Sequence, residues 1–295
     1  MSEEVKKPQL IVSSPPHVHG DRNTGQIMRL VIIALLPALL VGWWYFGLHA
    51  VRVTLVALAG CLFFEWGFQK LRGRPNSLPD GSAVVTALLL AMNLPASSPS
   101  WMVLAGSLVA MVLGKMVFGG LGYNPFNPAL VARVFLLVSF PVQMTKWTVP
   151  AGPTVIDAAT GATPLGAVRE AISLGQPLSS VELTPLLDLF IGARGGCLGE
   201  ASTAALLLGG HFLLWKGIIR WQIPVGFIVT VALITGVFKL VSPETAVSPL
   251  YHVMSGGLML GAFFMATDMV TSPVTRKGML IFGIGCGLLT AVIRL

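Results

Sequence analysis

The sequence predicts an all-α integral membrane protein made of two inverted five-helix repeats, with a broken third helix in each half. Three observations predict this fold class: the composition, a series of long apolar runs, and two interrupted runs that resemble each other. Of the 295 residues, 54% are hydrophobic and 11% are charged, whereas about a quarter of the residues in soluble domains are charged. The mean hydropathy of +0.80 places the chain in a membrane.

Seven apolar runs account for most of the predicted membrane spans. A helix needs about 17 to 25 apolar residues to cross a bilayer, and these runs approach or reach that length. They lie at Leu30 to Leu48, Val51 to Phe68, Trp101 to Phe118, Ala129 to Met144, Ala201 to Ile219, Val225 to Phe238 and Met279 to Ile293. The first of them is long enough to remain as a span, so no cleaved signal peptide is predicted.

Two further runs are short, and they align when the sequence is shifted from Asp80 to Ser255. The run Ala83 to Met92 stops at Asn93, and the run Val253 to Ala266 stops at Asp268. Paired short segments in two halves of a membrane protein indicate inverted repeats around a midplane site. The repeat also predicts a tenth segment after the last residue, so the second half is expected either to be truncated or to close differently from the first.

The distribution of basic residues predicts the orientation in the membrane. The net charge is +7, but lysines and arginines flank the apolar runs and form no single block, which argues against nucleic-acid binding. With nine segments, twelve of them fall on the side of the N-terminus and six on the other side, and basic residues accumulate in the cytoplasm. The predicted units are a cytoplasmic tail (1–26), a first membrane half (27–145), an extracytoplasmic loop (146–200) and a second membrane half (201–295).

Ionisable residues within apolar runs are candidates for an ion pathway, because their burial is costly. Asp268 is the strongest, since it lies at the break of the second short segment. It matches Asn93 in the first half, and the two are predicted to form a midplane pair that meets a cation or proton. Glu65 and Lys115 lie near helix ends and are expected to reach the interface. No metal site is predicted, because the three cysteines are far apart in the sequence.

The predicted outer loop contains the compact sequence "DAATGATPL", from Asp157 to Leu165. Local propensity predicts a helix that begins near Pro164 and is capped by Asp157 or Thr160. A phosphate-binding loop is disfavoured because the glycine spacing is absent. A threonine nucleophile for hydrolysis is disfavoured because no histidine is near in the sequence.

Several motifs together resemble the RnfD/NqrB family, whose members are membrane subunits of the Rnf electron-transport complex and of the sodium-pumping NADH:quinone reductase. They span nearly the whole chain, and the short N-terminal tail favours the Rnf member. The motifs are "SSPPHVH", "DGSAVVTALLLAMNLP", "GGLGYNPFNPA", "SFPVQMTKW", "DAATGATPL", "GGCLGEAS", "SPET" and "SGGLMLGAFFMATDMVTSP".

The resemblance implies that a flavin transferase joins FMN through its phosphate to Thr163. In this family the recognition sequence is Asp-x-x-Ser/Thr-Gly-Ala-Thr, which Asp157, Thr160, Gly161, Ala162 and Thr163 match in full. The resemblance further implies a ten-helix fold similar to urea channels and a second, non-covalent flavin, riboflavin, among the helices.

On this interpretation the chain is a flavin-carrying subunit of an ion-translocating ferredoxin:NAD oxidoreductase in a bacterial or archaeal cytoplasmic membrane. Its expected partners are the flavoprotein, iron-sulfur and membrane subunits of the Rnf complex, the flavin transferase, lipid, and either sodium ions or protons. The competing hypotheses are a passive solute channel of similar fold, the NqrB subunit of a sodium-pumping NADH:quinone reductase, and a membrane scaffold whose threonine is never modified.

Overall fold

A computed structural model describes residues 23–148, 161–175, 183–192 and 194–295. Helices dominate these ranges, and the only strand-like pairing within them is a single bridge between Pro95 and Cys197. Three helices in the described ranges are long and apolar enough to cross a membrane, and shorter apolar helices accompany them. The prediction of an all-α membrane protein is confirmed.

Helix α1 (Thr24–Leu71) contains the first two predicted spans. At 48 residues, a straight helix would measure about 72 Å, more than twice the thickness of the hydrocarbon core of a bilayer. Gly47 interrupts the helix with φ 59° and ψ −146°. The start of α1 lies near the segment that follows its end, since a methyl group placed on Gly25 would lie 3.7 Å from the Pro79 carbonyl oxygen. The chain therefore crosses, turns near Gly47 and returns.

Four more helices complete the predicted first half. The interrupted run becomes the short helix α2, and the next long run begins as α3 and continues as a wider π-helix, Val109–Met116. The run after that is divided at Phe140 into α4 and α5. The bounds are α2 Ser82–Met92, α3 Ser100–Leu108, α4 Pro128–Ser139 and α5 Pro141–Met144.

The rest of the chain contributes two short loop helices and the second membrane part. The second interrupted run becomes the short helix α11 with a π-helical continuation, Gly261–Met265. A 3₁₀ turn, Leu198–Glu200, precedes α8. The bounds are α6 Pro164–Ser173, α7 Leu186–Ile191, α8 Thr203–Trp215, α9 Gln222–Val241, α10 Pro249–Met254, α11 Leu258–Leu260 and α12 Arg276–Arg294.

The two short helices begin in the same way, at positions that the sequence shift aligns. Gly81 precedes α2 with φ 78°, and Gly256 lies just before α11 with φ 64°. Glycine adopts this left-handed conformation without the steric cost that a side chain brings. The two segments also touch, since the Asn93 amide lies 3.7 Å from the Met265 sulfur. The inverted relation of the two halves stays a prediction.

Close helix packing relies on small residues, as is usual inside membranes. Helix α8 approaches α1 at Gly209, where an added methyl group would lie 2.0 Å from the Ala34 carbonyl oxygen. Helix α12 approaches α9 at Gly287, where an added methyl group would lie 2.7 Å from the Phe227 carbonyl oxygen. These contacts hold α8 against α1 and α12 against α9.

We call the two ends of the membrane part the N-terminal side and the loop side. The N-terminal side contains both ends of α1. The loop side contains the turn of α1, where Arg52 donates a hydrogen bond to the Ser98 carbonyl oxygen at 2.9 Å. On the same side, Ser97 donates to the Lys146 carbonyl oxygen at 2.8 Å. The beginning of the predicted loop is therefore at the opposite end from Thr24, and which end faces the cytoplasm stays a prediction.

Candidate functional site

Thr163 caps the N-terminus of α6 on the loop side. Its hydroxyl oxygen accepts a hydrogen bond from the Gly166 amide at 3.1 Å, and Pro164 is the first helical residue. The prediction of a helix that begins at Pro164 is confirmed. The prediction that Asp157 or Thr160 is its cap was wrong, because Thr163 itself occupies the cap position; Asp157 and Thr160 lie outside the described residues.

The Thr163 hydroxyl sits in a short extended segment that is open to solvent. Thr163 and Gly161 are partly exposed, and Ala162 is exposed. The Gly161 amide donates a hydrogen bond to the Trp147 carbonyl oxygen at 3.1 Å, which anchors the segment to the beginning of the predicted loop. A phosphate group on Thr163 would lie beside the free amides of the first turn of α6, and helix N-termini favour anions.

A cavity of about 350 Å³ opens on the N-terminal side, between α1, α2 and the π-helical continuation of α11. Small-molecule sites in proteins begin at about 300 Å³. Its walls are largely apolar, and its polar lining is contributed by Thr24, Ser82, Thr86, Lys115, Asn124, Asn127, Thr267 and Asp268. The buried Asn124 side-chain oxygen has no hydrogen-bond partner among the described residues. This oxygen has almost no accessible surface, so the polar contacts that the cavity offers come from the other polar lining residues.

Asp268 forms part of the cavity wall. Its carboxylate accepts hydrogen bonds from the Val270 amide and the Thr271 hydroxyl, each at 3.2 Å. Both donors follow it in the turn after α11, so the side chain is held locally at the rim. An acidic group in this position faces a space large enough for water and ions.

Asn93 lies in a different network, deeper in the protein. Arg133 donates to both the side-chain oxygen of Asn93, at 2.8 Å, and its carbonyl oxygen, at 2.9 Å. The Cys197 thiol donates to the same carbonyl oxygen at 3.2 Å. The hydrogen bonds of the described residues do not join Asn93 to Asp268, and the cavity that Asp268 lines is not lined by Asn93. The ion-pathway role of each residue stays a prediction.

Lys115 and Glu65 form a buried ion pair beside the cavity. The ammonium and carboxylate are 2.8 Å apart, and the two side chains are 1% and 0% exposed. The prediction that they extend to the membrane interface was wrong, because each side chain turns inward to meet the other. Sequence reasoning treated each residue alone, and only their approach across α1 and the π-helix pairs them.

Hydroxyl groups extend the ion pair into a chain of hydrogen bonds. Lys115 donates to the Ser82 hydroxyl at 2.6 Å, and Ser82 donates to Asp80 at 2.5 Å. On the other side, Ser77 donates to Glu65 at 2.7 Å. The second carboxylate oxygen of Glu65 is buried without a hydrogen-bond partner among the described residues. Two charges with this many polar contacts anchor the start of α2 at the edge of the cavity.

Comparisons with known proteins agree with the motifs. The sequence model of the NQR2, RnfD, RnfE family matches residues 11–295. The D subunit of the Na(+)-translocating ferredoxin:NAD(+) oxidoreductase complex of Acetobacterium woodii is 46% identical over 288 residues, which cover 97% of this chain and 85% of the relative. The D subunit of the proton-translocating ferredoxin:NAD(+) oxidoreductase complex of Clostridium ljungdahlii is 43% identical over 293 residues, covering 99% and 88%.

A third relative has a more general name. The D subunit of the ion-translocating oxidoreductase complex of Stutzerimonas stutzeri is 41% identical over 294 residues, which cover 92% of this chain and 83% of the relative. The first two relatives are named for different ions at similar identity, so identity alone does not select the ion. Because the family match and the relatives extend over nearly the whole length, the chain belongs to the NQR2, RnfD, RnfE family.

Proposed function

We propose that this chain is an electron-transfer subunit of an ion-translocating ferredoxin:NAD oxidoreductase complex and carries FMN in a phosphoester bond to Thr163. The relatives are named as subunits of such complexes. The single observation that carries the flavin assignment is the Thr163 hydroxyl, which combines a complete recognition sequence with an accessible position at a helix N-terminus. Complexes of this kind need further subunits, here the flavoprotein, iron-sulfur and membrane partners.

The residues around Thr163 suit the attachment of a phosphorylated group. The Thr163 Oγ1 can lose its proton and attack the phosphorus of an activated flavin phosphate, whose other substituent leaves, so that the ester forms through Oγ1. Small Gly161 and Ala162 leave room for the transferase. The first-turn amides of α6 would then face the phosphate, and this interaction offsets part of the loss of the Gly166 hydrogen bond. FMN supplies one- and two-electron redox chemistry when bound.

We assign the proposed second flavin, riboflavin, to the cavity on the N-terminal side, and the size and lining of the cavity support this choice. Its apolar walls, including Phe263 and Phe264, match the faces of a fused ring system. Polar lining groups such as the Thr86 hydroxyl would meet polar edges and the ribityl hydroxyls. The volume of about 350 Å³ is in the range of sites for small organic ligands.

The attachment is tested by flavin fluorescence that survives denaturation. The full chain is produced with the flavin transferase, denatured and separated on a gel, and wild type is compared with Thr163→Ala and with Thr145→Ala as a matched control in an exposed position. We expect fluorescence in wild type and Thr145→Ala and none in Thr163→Ala. Fluorescence in none of the three would leave Thr163 as a helix cap and favour the channel or scaffold hypothesis.

Ion coupling is tested at Asp268. The Asp268→Asn change removes the negative charge while the shape and volume of the side chain are nearly kept, so the fold should persist. We expect fewer ions translocated per electron transferred, measured in proteoliposomes with sodium- and proton-sensitive dyes during ferredoxin-driven NAD reduction. An unchanged ratio of ions to electrons would remove Asp268 from the pathway.

A further inference from the structure

A buried arginine, Arg194, and a half-buried one, Arg294, hold the start of the second broken segment on the loop side. Arg194 is 3% exposed, and its Nε donates a hydrogen bond to the Glu200 carbonyl oxygen at 2.7 Å. Its Nη1 donates to the Met254 carbonyl oxygen. Arg294 donates to the carbonyl oxygens of His252, at 2.5 Å, and Ser255, at 3.1 Å. Both guanidinium groups therefore meet at the turn between α10 and α11, and we call this group the arginine cluster.

Among the described residues, the arginine cluster carries more positive than negative charge. Glu200 is the carboxylate that interacts electrostatically with Arg194, with Arg294 and also with Arg133. It lies against the same turn, since a methyl group placed on Gly257 would be 3.3 Å from its Oε1. Three guanidinium groups thus share one described carboxylate. A buried charge without a counter-charge is strongly destabilising, so the cluster has the electrostatics of an anion site.

The cluster also contains buried polar atoms with unused hydrogen-bonding capacity. Within the described residues, Nη2 of Arg194, the hydroxyl of Ser255 and Nδ1 of His252 have no hydrogen-bond partner. Ser255 is 0% exposed. Buried polar groups are nearly always satisfied, and an unsatisfied one calls for a missing partner. Guanidinium and hydroxyl donors together are typical of sites that bind phosphate groups.

The segment that bears Thr163 lies beside the backbone that carries this cluster. On one side of Thr163, the Ala162 carbonyl oxygen is 3.7 Å from the position of a methyl group on Gly195, next to Arg194. On the other side, the Leu165 side chain is 3.8 Å from a methyl group on Gly256, which would itself be 3.0 Å from Nη2 of Arg294. A charged group attached to Thr163 would therefore enter the field of both arginines.

We propose that the arginine cluster is the counter-charge site for the anionic flavin phosphate group that is attached at Thr163. This inference rests on the proposed function, because it needs the modified threonine. Attachment places a negative charge on the phosphodiester beside an under-neutralised cationic cluster, and the pairing locks the loop onto the second broken segment. Flavin attachment and the stability of the protein are then thermodynamically coupled through Arg194.

The coupling is measured as a double-mutant cycle. The full chain is purified with and without attached flavin, in wild type, Arg194→Gln and Arg194→Lys. Arg52→Gln is the control, since it removes an exposed arginine on the same side. Thermal unfolding is followed by the fraction that stays monodisperse after heating. We expect attachment to raise the Tm of wild type by several degrees, with the rise lost in Arg194→Gln and kept in Arg194→Lys and Arg52→Gln.

The outcomes separate this inference from the proposed function. If Arg194→Gln carries attached flavin and its Tm rises as much as that of wild type, the inference is overturned and the proposed function stands. If wild type carries no attached flavin, both are overturned. If Arg194→Gln does not fold, Arg294→Gln takes its place in the cycle with the same expected loss. Unmodified wild type is also heated with inorganic phosphate, against chloride at equal ionic strength; a rise equal to that from flavin would assign the cluster to free phosphate instead.

Discussion

Ferredoxin-dependent NAD reduction by the assembled complex is expected to fall to the background of membranes without this subunit when Thr163 is changed to alanine. The physical reason is the loss of the ester oxygen, since no other atom of this side chain can hold the flavin phosphate. The rate is measured in membranes that contain equal amounts of assembled complex, checked on a native gel. This is the largest functional effect that we expect from a single substitution in the chain.

A second substitution separates the proposed role of Thr163 as flavin acceptor from its observed role as helix cap. Asparagine caps helix N-termini as well as threonine does, and loss of a cap costs about 1 kcal/mol. The Thr163→Asn variant should therefore keep the stability of α6 while it lacks the hydroxyl. We expect it to be as inactive as Thr163→Ala. Activity near that of wild type in Thr163→Asn would mean that the hydroxyl serves only as a cap.

Replacement of Lys115 by methionine is expected to give the largest loss of stability. The change leaves the Glu65 carboxylate buried without its cation, and removing one partner of a buried ion pair costs about 3–5 kcal/mol. The Ser82 hydroxyl also loses a hydrogen-bonding partner, which loosens the start of α2. Thermal unfolding of the detergent-solubilised chain measures the effect, and the Lys70→Met variant, which removes an exposed lysine of α1, should unfold like wild type.

The double variant Glu65→Gln/Lys115→Met tests the pairing itself. Two neutral side chains of similar volume leave no buried charge, so the double variant should be more stable than Lys115→Met alone. The Glu65→Gln variant is measured separately. If the double variant is less stable than Lys115→Met by the full loss of stability that Glu65→Gln causes alone, the two residues act independently. Such additivity would contradict an ion pair at 2.8 Å.

The sequence by itself determined the membrane class, the positions of the main apolar helices and the two interrupted segments. These features follow from hydropathy and from residues that end helices, which are local properties of the chain. Both predicted short runs became short helices after a left-handed glycine, Gly81 and Gly256. The family was also readable, because its motifs are contiguous, and so was the helix that begins at Pro164.

Only the tertiary structure decided which polar residues meet. Lys115 and Glu65 are 50 positions apart in the sequence. The local sequence does not decide whether a long charged side chain near a helix end reaches the interface or turns inward. Arg133 reaches Asn93 across 40 positions. The Arg194 contact with Met254 spans 60 positions. Such pairings depend on how the helices pack. In a low-dielectric interior a buried charge turns toward the nearest opposite charge or carbonyl oxygen, and this partner need not be close in the sequence.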